Sequence, residues 1–145
     1  MKTDQSITSR VVRHVNASAE RVFDAFLDPA QAKQFMFAMD GPLVRSEIEP
    51  RIGGKFTFVD RRNGEDVEHT GEFLDVDRPH RLIFTLKVPK YSQAADEIHI
   101  NIEPLDHGCR LTLTHEMQGD DEAKRRAEEG WNEILDRLAK TIGAN

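Results

Sequence analysis

The sequence predicts an α+β domain in which an antiparallel sheet is covered by one long C-terminal helix. Three observations lead to this class. From about residue 43 to residue 116, apolar and polar residues alternate in short runs, the pattern of strands with one buried and one wet face. The runs are joined by turns too short to hold crossover helices, so successive strands must pair antiparallel as a meander. Only the last thirty or so residues carry an apolar stripe long enough to cover that sheet, and a one-sided sheet needs a cover.

The elements follow in order. Residues 6–15, ITSRVVRHVN, are rich in β-branched side chains and read as a first strand. In SAERVFDAFLDPAQAKQF, Ser18 is a good N-cap and Glu20 lies near the positive end of the helix dipole. Val22, Phe23, Phe26 and Leu27 recur at helical spacing, and Pro29 is expected to end this helix. A second short helix is expected over residues 30–36.

About six consecutive strands come next. LVRSEIEP is a short one. Gly53-Gly54 marks a bulge or a tight beginning to KFTFVD, where Phe56 and Phe58 share a face. Asn63-Gly64 favours positive φ and makes a turn. EDVEHTGEFLDV places Val67, His69, Gly71 and Phe73 on one face, and RLIFTLKV places Leu82, Phe84 and Leu86 together. Asp77-Arg78-Pro79-His80 turns between them, and KYSQAADE is loop-like. EIHINIEP alternates without error, with Ile98, Ile100 and Ile102 on one side. After the turn Leu105-Asp106-His107-Gly108, Cys109, Leu111, Leu113 and His115 line one face of CRLTLTHE, and Glu116 is read as following the strand. In the final helix Ala127, Trp131, Ile134, Leu135, Leu138 and Ile142 form a stripe at spacings of three and four.

Composition narrows the function. The 145 residues suit one domain with one core, and no repeat or linker divides them. A net charge of −6 argues against nucleic acid and anionic membrane surfaces, which need clustered Lys and Arg. The single cysteine, Cys109, forms no internal disulfide and is expected to be a small core residue. MKTDQSITSR lacks the apolar centre of a signal peptide, and no run approaches the roughly 18 apolar residues of a membrane span. A cytoplasmic location and no membrane insertion are expected.

Four pieces, VVRHVNASAERVFDAFLDP, IGGKFTF, GEFLDVDRPHRLIFT and LTLTHE…GWNEILDRLAKTI, occur in an order and spacing that resemble a known family. It is the activator of heat-shock-protein-90 ATPase homology group, within the START-like (SRPBCC, helix-grip) superfamily. The resemblance covers nearly the whole chain. It implies a curved antiparallel sheet of about six to seven strands wrapped around the C-terminal helix, two short helices after the first strand, and a cavity between sheet and helix. With the phenylalanine-rich inner face, it points to a small hydrophobic or amphipathic molecule as partner; no cofactor is expected. Relatives commonly carry a tryptophan after the second short helix. Here the segment reads QFMFAMDG, and Phe35 and Phe37 are expected to fill that role; the stretch 35–39 reads equally as a dimerising patch. The eukaryotic chaperone activators carry an additional N-terminal domain that this chain is read as lacking, so a chaperone is a possible rather than an implied partner. Polyketide cyclase and dehydrase enzymes share the superfamily.

On this reading the cavity is lined by Phe35, Phe37, Phe56, Phe58, His69, Phe73, Phe84, Leu86, His115, Trp131 and Leu135. Trp131 reads as a core anchor or as a cavity wall, roles that overlap. Gly130 beside it costs about 1 kcal/mol relative to alanine in a helix, which either relieves packing or lets a neighbouring element approach closely. His69 and His115, on otherwise apolar faces, read as buried neutral imidazoles or as an acid–base or anchoring group. His14 and His99 are expected to face solvent or a loop, and His80 and His107 lie in turns. No residue is assigned a catalytic role. The sequence contains no HxxxH, HExxH, CxxC, GxSxG or phosphate-loop pattern, so no metal centre is expected. The acidic run Asp120, Asp121 and Glu122 reads as a helix cap, and Arg51, Lys55, Arg61 and Arg62 as an incidental basic spot.

Overall fold

The computed structural model describes residues 5–39 and 41–144. Among them, seven strands form one antiparallel sheet: β1 (Gln5–Val15), β2 (Arg45–Ile48), β3 (Lys55–Arg62), β4 (Glu65–Asp77), β5 (Arg81–Leu86), β6 (Asp96–Pro104) and β7 (Cys109–Gly119). Helices α1 (Ala19–Leu27) and α2 (Pro29–Phe35) follow β1, and α3 (Asp121–Thr141) closes the chain. The order across the sheet is β1-β7-β6-β5-β4-β3-β2. This is the helix-grip architecture expected from the sequence.

Local chemistry sets the helix boundaries. The Ser18 side chain accepts the Arg21 N–H, so α1 begins where its cap stands. Pro29 does not end α1 by itself. It opens α2 at the first helical position, where its missing N–H costs nothing, and Asp28 caps that helix by accepting from Ala30 N–H. Asp120 caps α3 through Ala123 N–H. β7 runs past Glu116 to Gly119, because β1 offers it partners over its whole length, from Val15 opposite Cys109 to Gln5 opposite Gly119.

The sheet curves where β4 meets β5. Phe73 pairs with Phe84 but Asp75 pairs with Ile83, leaving Leu74 as the extra residue of a bulge. Nearby, Gly71 is required by space: a Cβ there would lie 1.8 Å from the Thr85 carbonyl oxygen and 2.5 Å from the Phe56 ring. Gly54 is required too, since a Cβ would stand 2.2 Å from the Glu49 carbonyl oxygen, so Gly53-Gly54 makes the tight beginning of β3.

The concave face and α3 share one apolar core. Val11, Leu111, Leu113, Ile98, Ile100, Leu82 and Phe84 face Trp131, Ile134, Leu135 and Leu138, all buried. Burying each such side chain stabilises the fold by about 1.5–3 kcal/mol. Arg13 of β1 ties the helix down, donating to Asp136 Oδ1 and to Asn132 Oδ1 at 2.8 Å each. Cys109 is buried in the core. Among the described residues no helix is long and apolar enough to cross a membrane.

Candidate functional site

The interior between sheet and α3 holds two neighbouring groups. One is a cluster of phenylalanines from the curved half of the sheet. Phe56 packs against Phe58 at 5.0 Å between ring centroids, against Phe84 at 5.4 Å and against Phe73 at 5.6 Å. These four rings, with Phe26, Met36 and Leu82, surround a void of about 10 Å³. That is room for at most a single water molecule. This void is therefore too small for a ligand as it stands, and larger depressions lie on the surface. One of about 260 Å³ runs over β1, β6 and β7 from Ser6 to Gln118.

The second group is aromatic and polar. Phe37 stacks on His69 at 4.3 Å with the rings 9° from parallel, and meets Trp131 edge-on at 5.5 Å. It also lies 6.2 Å from Phe58, which joins this group to the first. Phe37 reaches this position with φ +56°. A bulky side chain in the left-handed region is a true outlier, and such conformations cost on the order of 1–3 kcal/mol. Hydrogen bonds on either side of Phe37 hold it: Met36 N–H to the Ala32 carbonyl at 2.8 Å before it, and Met39 N–H to Asp60 Oδ2 at 3.3 Å, Leu43 N–H to the Lys33 carbonyl at 2.8 Å and Val44 N–H to the Val59 carbonyl at 2.9 Å after it. Asp60 is itself buried and accepts from Arg62 Nε at 2.6 Å.

The two inward histidines differ in their partners. Trp131 Nε1 donates to His115 Nδ1 at 2.9 Å, and His115 Nε2 lies 2.8 Å from Asp96 Oδ2. Because the indole only donates, Nδ1 is the acceptor and Nε2 carries the proton toward Asp96. Both ring nitrogens are thus engaged. His69 is only 4% exposed, and its Nδ1 finds no hydrogen-bond partner among the described residues. Burial above all, and the Arg62 charge after it, push its pKa down to about 4, with backbone groups of Phe58 and Val67 opposing. The ring is neutral at pH 7.

Of the residues singled out from the sequence, Phe56, Phe58, Phe73 and Phe84 meet around the void, and Phe37, His69, His115 and Trp131 form the adjoining group. Phe35 packs edge-on against Phe26 at 5.5 Å, while Leu86 and Leu135 belong to the surrounding core. Residues 35–38 are buried, so the stretch 35–39 offers no apolar patch beyond the exposed Met39. Among the described residues nothing approaches Gly130: a Cβ there would meet no atom within 4 Å, which contradicts the close-approach reading. Its neighbour Trp131 is held by packing and by His115 instead. Phe26, Met36, Leu82 and Asp96 are not among the lining residues expected from the sequence. The helical spacing of Phe26 and the alternation at Leu82 mark burial without marking a site.

The other histidines face outward. His14 Nε2 donates to the His107 carbonyl at 2.8 Å. His99 Nε2 bonds Glu97 Oε1 at 2.7 Å on the solvent face and lies 3.8 Å from Glu116 Oε2, across adjacent strands. The arginines read as a basic spot are paired with acids, Arg61 with Asp66, Arg62 with Asp60 and Arg51 with Glu49.

A curved antiparallel sheet closed on a long C-terminal helix, with an aromatic interior between them, defines a START-like domain. Residues 16–143 match the family described as Activator of Hsp90 ATPase homolog 1-like protein, and the chain belongs to that family. No curated protein matches it. Solved structures agree on the fold. Mll3558 from Rhizobium loti is 27% identical, with a TM-score of 0.78 over 97% of this chain and 99% of its own. CV1439 from Chromobacterium violaceum is 25% identical, with a TM-score of 0.77 over 93% and 96%. SA2116 from Staphylococcus aureus, a protein of unknown function, is 17% identical with a TM-score of 0.83 over 97% and 95%.

Proposed function

We propose that this chain is a binding protein that takes a small hydrophobic or amphipathic molecule between its sheet and α3, without performing chemistry on it. The observation that carries this reading is the meeting of Phe56, Phe58, Phe73 and Phe84 around one void beneath α3. Aromatic lining with few polar groups is what small-molecule sites present. The void is too small for a ligand as it stands. Residues 36–38 and 43 are buried at this end of the interior, and Phe37 among them has a left-handed backbone. On this reading a ligand enters by displacing these side chains. The reading also draws on family membership. A cytoplasmic location and a soluble apolar ligand fit it.

An enzymatic reading with a cavity histidine is less well supported. His115 has both nitrogens engaged, and His69 titrates too low to act as an efficient base near pH 7. The test is a titration of the fluorescence of Trp131, the only tryptophan, with flavonoids, aromatic polyketides, fatty acids and sterols. A saturable change with a chemically narrow subset is expected. No change across the panel, with blue-shifted and quencher-resistant emission, overturns the proposal in favour of a filled core.

A further inference from the structure

We propose that the outer face of the sheet binds a divalent transition-metal ion of the zinc type, held by Glu97, His99 and Glu116. This site lies across the sheet from the interior and does not depend on the binding function proposed above.

Strand register brings the three side chains together. Glu97 and His99 are alternate residues of β6, so they project from the same face. Glu116 stands directly opposite Glu97 on β7. The face is the wet one, because Ile98 and His115, the residues beside them in sequence, are buried in the core. His99 Nε2 lies 2.7 Å from Glu97 Oε1 and 3.8 Å from Glu116 Oε2, and one ligand atom from each residue falls within 4.8 Å of the others. Donor atoms around a tetrahedral zinc ion, each about 2.0–2.1 Å from it, are about 3.3 Å from one another. The set needs to tighten by only an ångström or so. The glutamate side chains can do this, being 42% and 53% exposed on flexible arms.

Charge points the same way. Like charges directly opposite on adjacent strands are destabilising. Elsewhere on the surface, acids are matched with arginines, as in Arg61–Asp66, Arg81–Asp75 and Arg110–Glu103. Glu97 and Glu116 have no lysine or arginine within ion-pair distance among the described residues, and the group they share is the His99 imidazole. Their register neighbours on the outer strands, Thr85 and Thr8, are uncharged. A cation between the two carboxylates turns their repulsion into attraction and ties β6 to β7.

The imidazole selects the ion. Magnesium and calcium take oxygen ligands, whereas one imidazole with two carboxylates suits zinc and its first-row neighbours. Three protein ligands leave a fourth position to water. No linear motif marks the set, because Glu97 and His99 supply two ligands and the third arrives only through the pairing of β6 with β7.

Calorimetric titration of the metal-free protein with zinc chloride, and separately with magnesium chloride, tests this. Zinc is expected to bind one ion per chain, and magnesium at least a hundredfold more weakly. Glu97→Gln, His99→Gln and Glu116→Gln should each weaken zinc binding at least tenfold. His14→Gln, which removes an imidazole on another part of the surface, should leave it unchanged. Thermal unfolding gives a second readout and shows that the variants fold. Without metal, Glu116→Gln should unfold at a higher temperature than the unaltered chain, because the repulsion is gone. With saturating zinc the order should reverse. No zinc binding, binding indifferent to the three ligand variants, or an equal loss in His14→Gln overturns the inference. Magnesium binding as tightly as zinc overturns it as well, since the imidazole then contributes nothing.

Discussion

Trp131 Nε1 donates to His115 Nδ1 at 2.9 Å, and this one bond between α3 and β7 decides which nitrogen of the imidazole carries its proton. The second nitrogen is then left to Asp96, 2.8 Å away, so a helix, the last strand and the beginning of β6 are joined in one chain of hydrogen bonds. Such networks are worth more than their separate bonds, because removing one member strands the others in a low-dielectric interior.

Trp131→Phe should therefore cost more than the lost indole area, since it leaves His115 Nδ1 buried and unpaired. We expect about 2–4 kcal/mol, read from urea unfolding. His115→Phe strands both the indole N–H and Asp96. In the double-mutant cycle the two changes should couple by about 1 kcal/mol or more. Additive effects would show that the bond contributes nothing beyond packing.

Stability should fall with acid through His69. Its folded-state pKa of about 4 lies below the ordinary 6.5, so the unfolded chain takes up the proton first as pH drops. The contribution is whole above about pH 6.5, declines below it and is gone by about pH 4, with a full size on the order of 3 kcal/mol. Unfolding midpoints measured from pH 7.5 to pH 4 should fall more steeply for the unaltered chain than for His69→Phe. Parallel curves would mean that His69 is solvated in the folded state.

Gly71→Ala should be among the most damaging small changes available. The new methyl would press on the Thr85 carbonyl and the Phe56 ring, and the first is backbone that cannot step aside. A loss of about 3 kcal/mol or more is expected, at the high end for overpacking. Thermal unfolding measures it, and a loss below about 1 kcal/mol would show that β4 slides at its bulge.

Gly130→Ala is the opposite case. Open space surrounds the position, and the residue sits mid-helix, so alanine should stabilise by about 1 kcal/mol. A loss of stability on denaturant titration would mean that something approaches α3 there after all.

How much of this was legible in the sequence depends on the range of each interaction. The strands could be read because Ile98, Ile100 and Ile102 alternate, and α3 because Trp131, Ile134, Leu135 and Leu138 repeat at helical spacing; both are local periods. The end of β7 could not. Beyond His115 the alternation fades, and past Glu116, the last residue of β7 paired with β6, it is residues 5–7 of β1 that keep the chain extended. The beginning of α2 is marked in the sequence by aspartate followed by proline, a common helix opening, but the same proline also reads as a stop for α1. In the interior, composition placed the phenylalanines. The Trp131–His115–Asp96 chain depends on strand register and helix phase together. The left-handed backbone of Phe37 leaves no local mark, because phenylalanine is not a residue that favours it. The same holds for the orphaned nitrogen of His69, whose lack of a partner is a property of everything around it.

The sheet order has one further consequence. Strands β2 to β7 each pair with a neighbour in sequence, but the partner of β1 is β7, with Val15 opposite Cys109 and Gln5 opposite Gly119. On a ribosome, the hairpins from β2 to β6 can form as each emerges. The first strand must wait for the last, across a loop whose closure cannot be shortened. Helix α3, which rests on β1 through Arg13, arrives later still. Residues 5–15 thus travel unpaired through most of synthesis, and the domain is completed by a late, long-range docking rather than by growth outward from its N-terminus.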